Sequence, residues 1–138
     1  MRINVYLATI LAFALSVILT VAFGATLTVI SPTGPYPSSV SADGLDFTWT
    51  SATTAIDSFS STGSELLLIY YPAGTTATVT LDSVPDVYNR ENDIVYTLSA
   101  GDYAAFWFGN TAGWRNATGE IQIQSSTTAL KWAVIRIP

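Results

Sequence analysis

From Ala25 onward the chain is divided into short segments of alternating polarity, and that period restricts the fold more than any other feature. In Thr76–Asp82, Ala77, Val79 and Leu81 fall on one side, with Thr76, Thr78 and Thr80 on the other. Glu120–Gln124 groups Ile121 and Ile123 and turns Gln122 and Gln124 away, and Asp93–Ser99 groups Ile94, Tyr96 and Leu98. A period of two belongs to a strand, and one wet face per strand marks an antiparallel sheet. Thr26–Ile30, Asp46–Thr50, Glu65–Tyr71, Tyr103–Phe108 and Leu130–Ile137 are further short runs rich in Val, Ile, Thr and aromatic residues. No helical period follows Gly24. Strands at this spacing predict one all-β domain over residues 25–138, a single antiparallel β-sandwich of jelly-roll-like or Ig-like type.

Two of these runs, "ELLLIYY" (65–71) and "LKWAVIRI" (130–137), are apolar on both faces. They are expected at the centre of a sheet, or with one face against another subunit. Pro72-Ala73-Gly74-Thr75 and Ser99-Ala100-Gly101-Asp102 carry the residues of tight turns and read as hairpins, while Ser125–Ala129 joins the last two strands. Residues 31–44 are rich in Pro, Gly and Ser and read as a long loop, or an arm reaching a neighbour.

Ahead of this domain, Val5–Phe23 is a continuous apolar run broken only by Thr9, Ser16 and Thr20, and it predicts one N-terminal hydrophobic helix. Ala22 and Gly24 supply the small residues a signal peptidase needs before its cut. Residues 1–24 therefore read as a cleaved export signal. The alternative is a retained membrane anchor through residues 5–23, whose length approaches the roughly 20 residues of a spanning helix. Either reading puts the sandwich on the far side of a membrane. A pilin-like filament subunit, with this run as a polymer helix, is a further alternative, although no prepilin-type cleavage site precedes it.

Composition narrows the chemistry. Five basic residues, one of them Arg2, face ten acidic ones for a net charge of −5. Such a surface repels phosphate, which argues against nucleic acid as a partner. The chain has no histidine and no cysteine, so the commonest general base, the commonest metal ligand and all thiol chemistry are missing. Only 11% of residues are charged, and hydroxyls carry much of the polarity, as suits a protein of assemblies or exteriors.

Three groups of residues are candidate sites. In "DYAAFWFGNTAGW", Phe106 and Phe108 share one strand face and Tyr103 and Trp107 the other. Tyr103, Trp107 and Trp114 together could form an aromatic platform for a sugar ring, but a subunit interface or core is the stronger reading of such residues. Asp82, Asp86, Glu91 and Asp93 lie in one loop and are oxygen donors of the kind Ca²⁺ takes. Their spacing is not that of an EF-hand, and a solvated loop with Arg90 pairing locally is the competing reading. Asn116-Ala117-Thr118 is an N-glycosylation sequon. Lys131, the only lysine, leaves a Ser–Lys pair formally available, but no nucleophile motif or phosphate-binding glycine loop is present, and no cofactor is implied.

Several of these runs also carry a resemblance. "STGSELLLIYY" (61–71), "TATVTLDS" (76–83), "YTLSAGDYAAFWFG" (96–109), "WRNATGEIQIQSS" (114–126) and "LKWAVIRIP" (130–138) occur in an order and spacing that resembles small β-sandwich proteins of tailed-phage structural gene clusters. The resemblance spans residues 61–137. It implies a virion component of the head-decoration type with no catalytic residues. The expectation is thus a non-enzymatic structural subunit of an exterior or virion surface, partnered by its own copies or a shell protein. A secreted or membrane-anchored carbohydrate- or ligand-binding module is the alternative.

Overall fold

The structure is a computed structural model, and it describes residues 23–31 and 46–137. The N-terminal helix, the export or anchor segment up to residue 22, and the arm over 32–44 fall outside the described residues. Within them every regular element is a strand: β1 (Val29–Ile30), β2 (Thr50–Ser51), β3 (Asp57–Ser60), β4 (Glu65–Tyr70), β5 (Thr76–Asp82), β6 (Ile94–Ser99), β7 (Tyr103–Trp107), β8 (Glu120–Ser125) and β9 (Lys131–Arg136). They form two sheets. One runs β3-β8-β5-β6; the other runs β1-β9-β4-β7, with β2 also paired to β9.

The alternating runs pack as their pattern requires. Ala77, Val79 and Leu81 of β5 are buried, as are Ile121 and Ile123 of β8. They meet Leu67 and Ile69 of β4 and Trp132 and Val134 of β9 in one core that also takes Phe59, Leu98 and Phe108. The two-faced runs β4 and β9 are indeed interior strands, each paired on both sides. Fully burying one such side chain is worth about 1.5–3 kcal/mol, so this cluster supplies the main driving force.

Several features depart from the sequence reading. Neither expected hairpin is one. Pro72–Thr75 connects β4 to β5, and Ser99–Asp102 connects β6 to β7, yet each pair belongs to different sheets. The turn residues fix a local reversal but not what the two arms do afterwards. Here both arms present a wholly apolar face, so they pack face to face across the core. The turn peptides knit to each other: the Gly101 amide donates to the Tyr71 carbonyl at 2.7 Å and the Tyr71 amide to the Asp102 carbonyl at 3.0 Å. The Ser125–Ala129 link also crosses between sheets. The consecutive strands that do pair, β5 and β6, are joined by the long loop 83–93.

β3 is unexpected, because Asp57 and Phe59 alternate inward and the acid masks the pattern. The strand expected at Asp46–Thr50 pairs only at Thr50–Ser51, and that expected at Thr26–Ile30 only at Val29–Ile30, with one isolated bridge at Thr26. β1 runs parallel to β9, so the sandwich is not wholly antiparallel. In β6 only Leu98 is buried; Ile94 and Tyr96 share its side but stay exposed because β6 is an edge strand.

Two carboxylates are wholly buried, and each is saturated with hydrogen bonds. Glu65 opens β4 and accepts from the Ser61 hydroxyl (2.9 Å), the Thr62 hydroxyl (2.7 Å), the Thr62, Gly63 and Ser64 amides (2.8, 2.9 and 3.1 Å) and Arg136 Nε (2.9 Å). Burial alone pushes its pKa up, but the bonds from Thr62, Ser61 and Arg136 outweigh it and hold the value at about 2. Asp57 accepts from the Ala25 and Thr53 amides, the Thr53 hydroxyl and Trp132 Nε1. Among the described residues no buried side-chain nitrogen or oxygen lacks a partner.

Candidate interaction surface

The outer faces of the two sheets differ in kind. On the β3-β8-β5-β6 sheet the outward residues are Ser58 and Ser60, Gln122 and Gln124, Thr78 and Thr80, and Thr97 beside Val95. On the other sheet, register sets three rows across β7, β4 and β9, apolar but for Lys131: Tyr103, Tyr70 and Lys131; Ala105, Leu68 and Ala133; Trp107, Leu66 and Ile135. The cause lies in the sequence of β4 and β9, whose outward positions carry Leu, Ile, Ala and Tyr where β5 and β8 carry Thr and Gln.

Aromatic rings concentrate at one corner of that face. Tyr70 and Tyr103 stack with centroids 4.3 Å apart and planes 8° from parallel. The adjoining Tyr70 hydroxyl raises the Tyr103 pKa above the ordinary phenol value. Trp49 tilts against both, at 5.9 Å from Tyr70 and 6.5 Å from Tyr103, and Phe47 meets Trp49 edge-on at 5.3 Å. Between them opens a groove of about 310 Å³ lined by Phe47, Trp49, Leu68, Tyr103 and Ala105. Tyr103 and Trp107 remain 67% and 69% exposed, which is unusual for side chains of this size.

The structure separates the three aromatics grouped from sequence. Tyr103 and Trp107 do share the outer face of β7. Trp114 does not join them: it is half-buried, packs edge-on against the core ring of Phe108 at 6.2 Å, and borders a different hollow beside Asp86, Arg90 and Gly113. The rings that complete the corner are Tyr70, Trp49 and Phe47. Their signal in the sequence was the two-faced "ELLLIYY" run and the aromatic pair flanking Thr48.

Three of the four loop carboxylates go to separate partners. Asp82 accepts from Gln124 Nε2 at 2.9 Å, and Asp93 from the Ser83 amide at 2.8 Å. Asp86 pairs with Arg90 at 2.5 Å, and that guanidinium, with the Arg90 and Tyr88 amides, holds its pKa at about 2. Glu91 is exposed near the same hollow. Among the described residues no three acidic side chains come together as a metal cage. Asn116 closes the turn before β8, its Oδ1 accepting from the Thr118 amide (3.0 Å), the Thr118 hydroxyl (2.7 Å) and the Glu120 amide (2.9 Å). Lys131 donates to Ser51 Oγ at 2.6 Å, but the two are ladder neighbours in the open, whereas a catalytic Ser–Lys pair needs a desolvated amine.

No protein-family model, no curated protein and no solved structure matches this chain.

Proposed function

We propose that this protein is a non-enzymatic structural subunit of an exterior surface, of the capsid-decoration kind, and that it binds through the apolar outer face of the β1-β9-β4-β7 sheet. The observation that carries the reading is the contrast between the two outer faces: one is covered by hydroxyls and amides, the other by Tyr, Trp and Leu. Exposed apolar area of that extent marks an interaction site. The strand order β2-β9-β4-β7 opposite β3-β8-β5-β6 supports the jelly-roll form of the sandwich, an architecture used by viral shells and by lectins.

Magnitudes favour many weak contacts over one strong one. Covering the exposed parts of Tyr103 and Trp107 removes roughly 250 Å² of surface, worth about 6 kcal/mol. Association costs about 4–15 kcal/mol in lost freedom. One copy on one site is therefore marginal, while copies on a repeating shell gain by avidity. The sugar-binding alternative is less well served. A pyranose needs several hydrogen-bonding groups around a stacking ring, and the groove is walled by Phe47, Trp49, Leu68 and Ala105.

The test is light scattering and particle co-sedimentation of the full chain against a Tyr103→Glu/Trp107→Glu double variant. Both positions are exposed, so the substitutions leave the buried core untouched. The expected result is at least a tenfold loss of binding to copies or particles. Undiminished binding by the variant refutes the reading.

A further inference from the structure

Asp57 is wholly buried, yet no cation among the described residues faces it. The other buried acid, Glu65, has Arg136. Asp57 has only neutral donors: the Ala25 amide at 2.7 Å, the Thr53 amide at 2.9 Å, the Thr53 hydroxyl at 2.5 Å and Trp132 Nε1 at 2.8 Å. A carboxylate taken out of water without a counter-charge is costly, and folds rarely tolerate one.

The nitrogen of Ala25 is the one that a cut after Gly24 would turn into a chain terminus. We infer that the chain is cut between Gly24 and Ala25, and that the α-ammonium group so released is the ionic partner of Asp57. The inference goes beyond the adhesive reading and does not depend on it. Water adds across the Gly24–Ala25 peptide bond at a signal-type peptidase. Gly24 leaves with the carboxylate, and the Ala25 amine takes up a proton at neutral pH. The charge appears on an atom already within hydrogen-bond distance of the buried acid.

Two further observations fit. Ala25 is held from its other side: its carbonyl accepts from the Ser58 amide at 2.9 Å, and the Leu27 amide donates to the Ser58 carbonyl at 2.8 Å. Losing what precedes Ala25 therefore leaves it in place. Gly24, by contrast, is pressed against the backbone of β3's approach, where an added Cβ would lie 1.5 Å from the Ile56 carbonyl oxygen. In an intact chain position 24 admits glycine alone; in a cut chain the constraint disappears.

The pH signature follows. An amine paired with a buried carboxylate titrates above its ordinary value of about 8. The pair's contribution to stability is complete below that value and is lost as pH rises through the raised one. The groups around Asp57 do not titrate in this range: its hydrogen-bond donors are Thr53 and Trp132, and its ladder partner is Ile123. Glu120, on the strand paired with β3, is turned to Ser58, and Lys131, beside Trp132, to Ser51.

The experiment expresses the full-length gene in an export-competent cell and measures the intact mass of the folded product. A chain beginning at Ala25 is expected; one beginning at Met1, or at any other residue, overturns the inference. On the processed protein, the α-amine should resist acylation near neutral pH until the protein unfolds, and should titrate at least about one unit above 8. Free labelling in the folded state overturns the pairing even if the cut is found, and this readout survives should Asp57→Asn fail to fold. Where Asp57→Asn does fold, its deficit should shrink above pH 9; a deficit constant with pH counts against the pair. Gly24→Ala keeps a small residue at the cut, so the processed product is the same molecule and its unfolding midpoint is unchanged. A lowered midpoint would mean that position 24 is still attached.

Discussion

Replacing Glu65 by Gln keeps the size of the side chain and removes its charge, which makes it a direct measure of the cradle built by Ser61–Ser64. The carboxyl falls from an ordinary 4.5 to about 2. At about 1.36 kcal/mol per pH unit, ionised Glu65 contributes about 3 kcal/mol at neutral pH. Arg136 is 39% exposed, so its share is screened by solvent, and the loop hydroxyls and amides carry the larger part. The sign follows from the depressed pKa. The contribution is present above the unfolded value near 4.5 and is lost as pH falls through about 2. Urea unfolding of wild type and Glu65→Gln from pH 7 to pH 2 should show a gap of about 3 kcal/mol that closes on acidification. The other carboxylates titrate in both proteins and cancel. Because hydrogen bonds dominate, 0.5 M salt should leave most of the gap in place. A gap below about 1 kcal/mol at pH 7, or one that persists unchanged at pH 2, would refute the account.

Two further outcomes are expected. Thr78 directs its carbonyl to Ser126, so Ala77, Val79 and Leu81 direct their peptides to β6, and Thr97, opposite Thr78, turns its own amide to the open edge. Thr97→Pro should therefore leave the unfolding midpoint nearly unchanged, whereas Tyr96→Pro, which strips an amide facing β5, should cost about 3 kcal/mol; equal losses would show the parity to be wrong. Gly74 has φ +127° and a Cβ added there would meet the buried Tyr71 hydroxyl at 1.8 Å, so Gly74→Ala should cost about 2 kcal/mol by thermal unfolding.

Residue alternation was enough to read β5 and β8 from the sequence, because in each a single face is buried and the other is wet. The central placement of β4 and β9 was also legible, since apolar residues on both faces suit an interior strand better than an edge one. What sequence could not convey was partnership. The turn Pro72–Thr75 has the same chemistry whether its arms pair or cross to opposite sheets, and only the assembled core decides. β3 was hidden by its own function, for a buried Asp57 looks like a surface residue until Trp132 and Thr53 are seen around it. The same holds for the aromatic corner. Tyr103 and Trp107 were visible as one strand face, but Tyr70 and Trp49 join them through register between distant segments, and Trp114 leaves them because its loop folds back onto Phe108.

The position of β9 has a temporal consequence. It is ninth in order along the chain, yet it is the strand on which β1, β2 and β4 all depend. Until residues 131–136 arrive, those three have no common neighbour, and Trp132 is not there to close over Asp57. A polypeptide emerging head-first from a pore would therefore be able to pair β3, β5, β6 and β8, and β4 with β7, but would close the second sheet only when its last strand arrived. Lateness of this kind postpones the apolar outer face shared by β7, β4 and β9 until the end of the chain is in place.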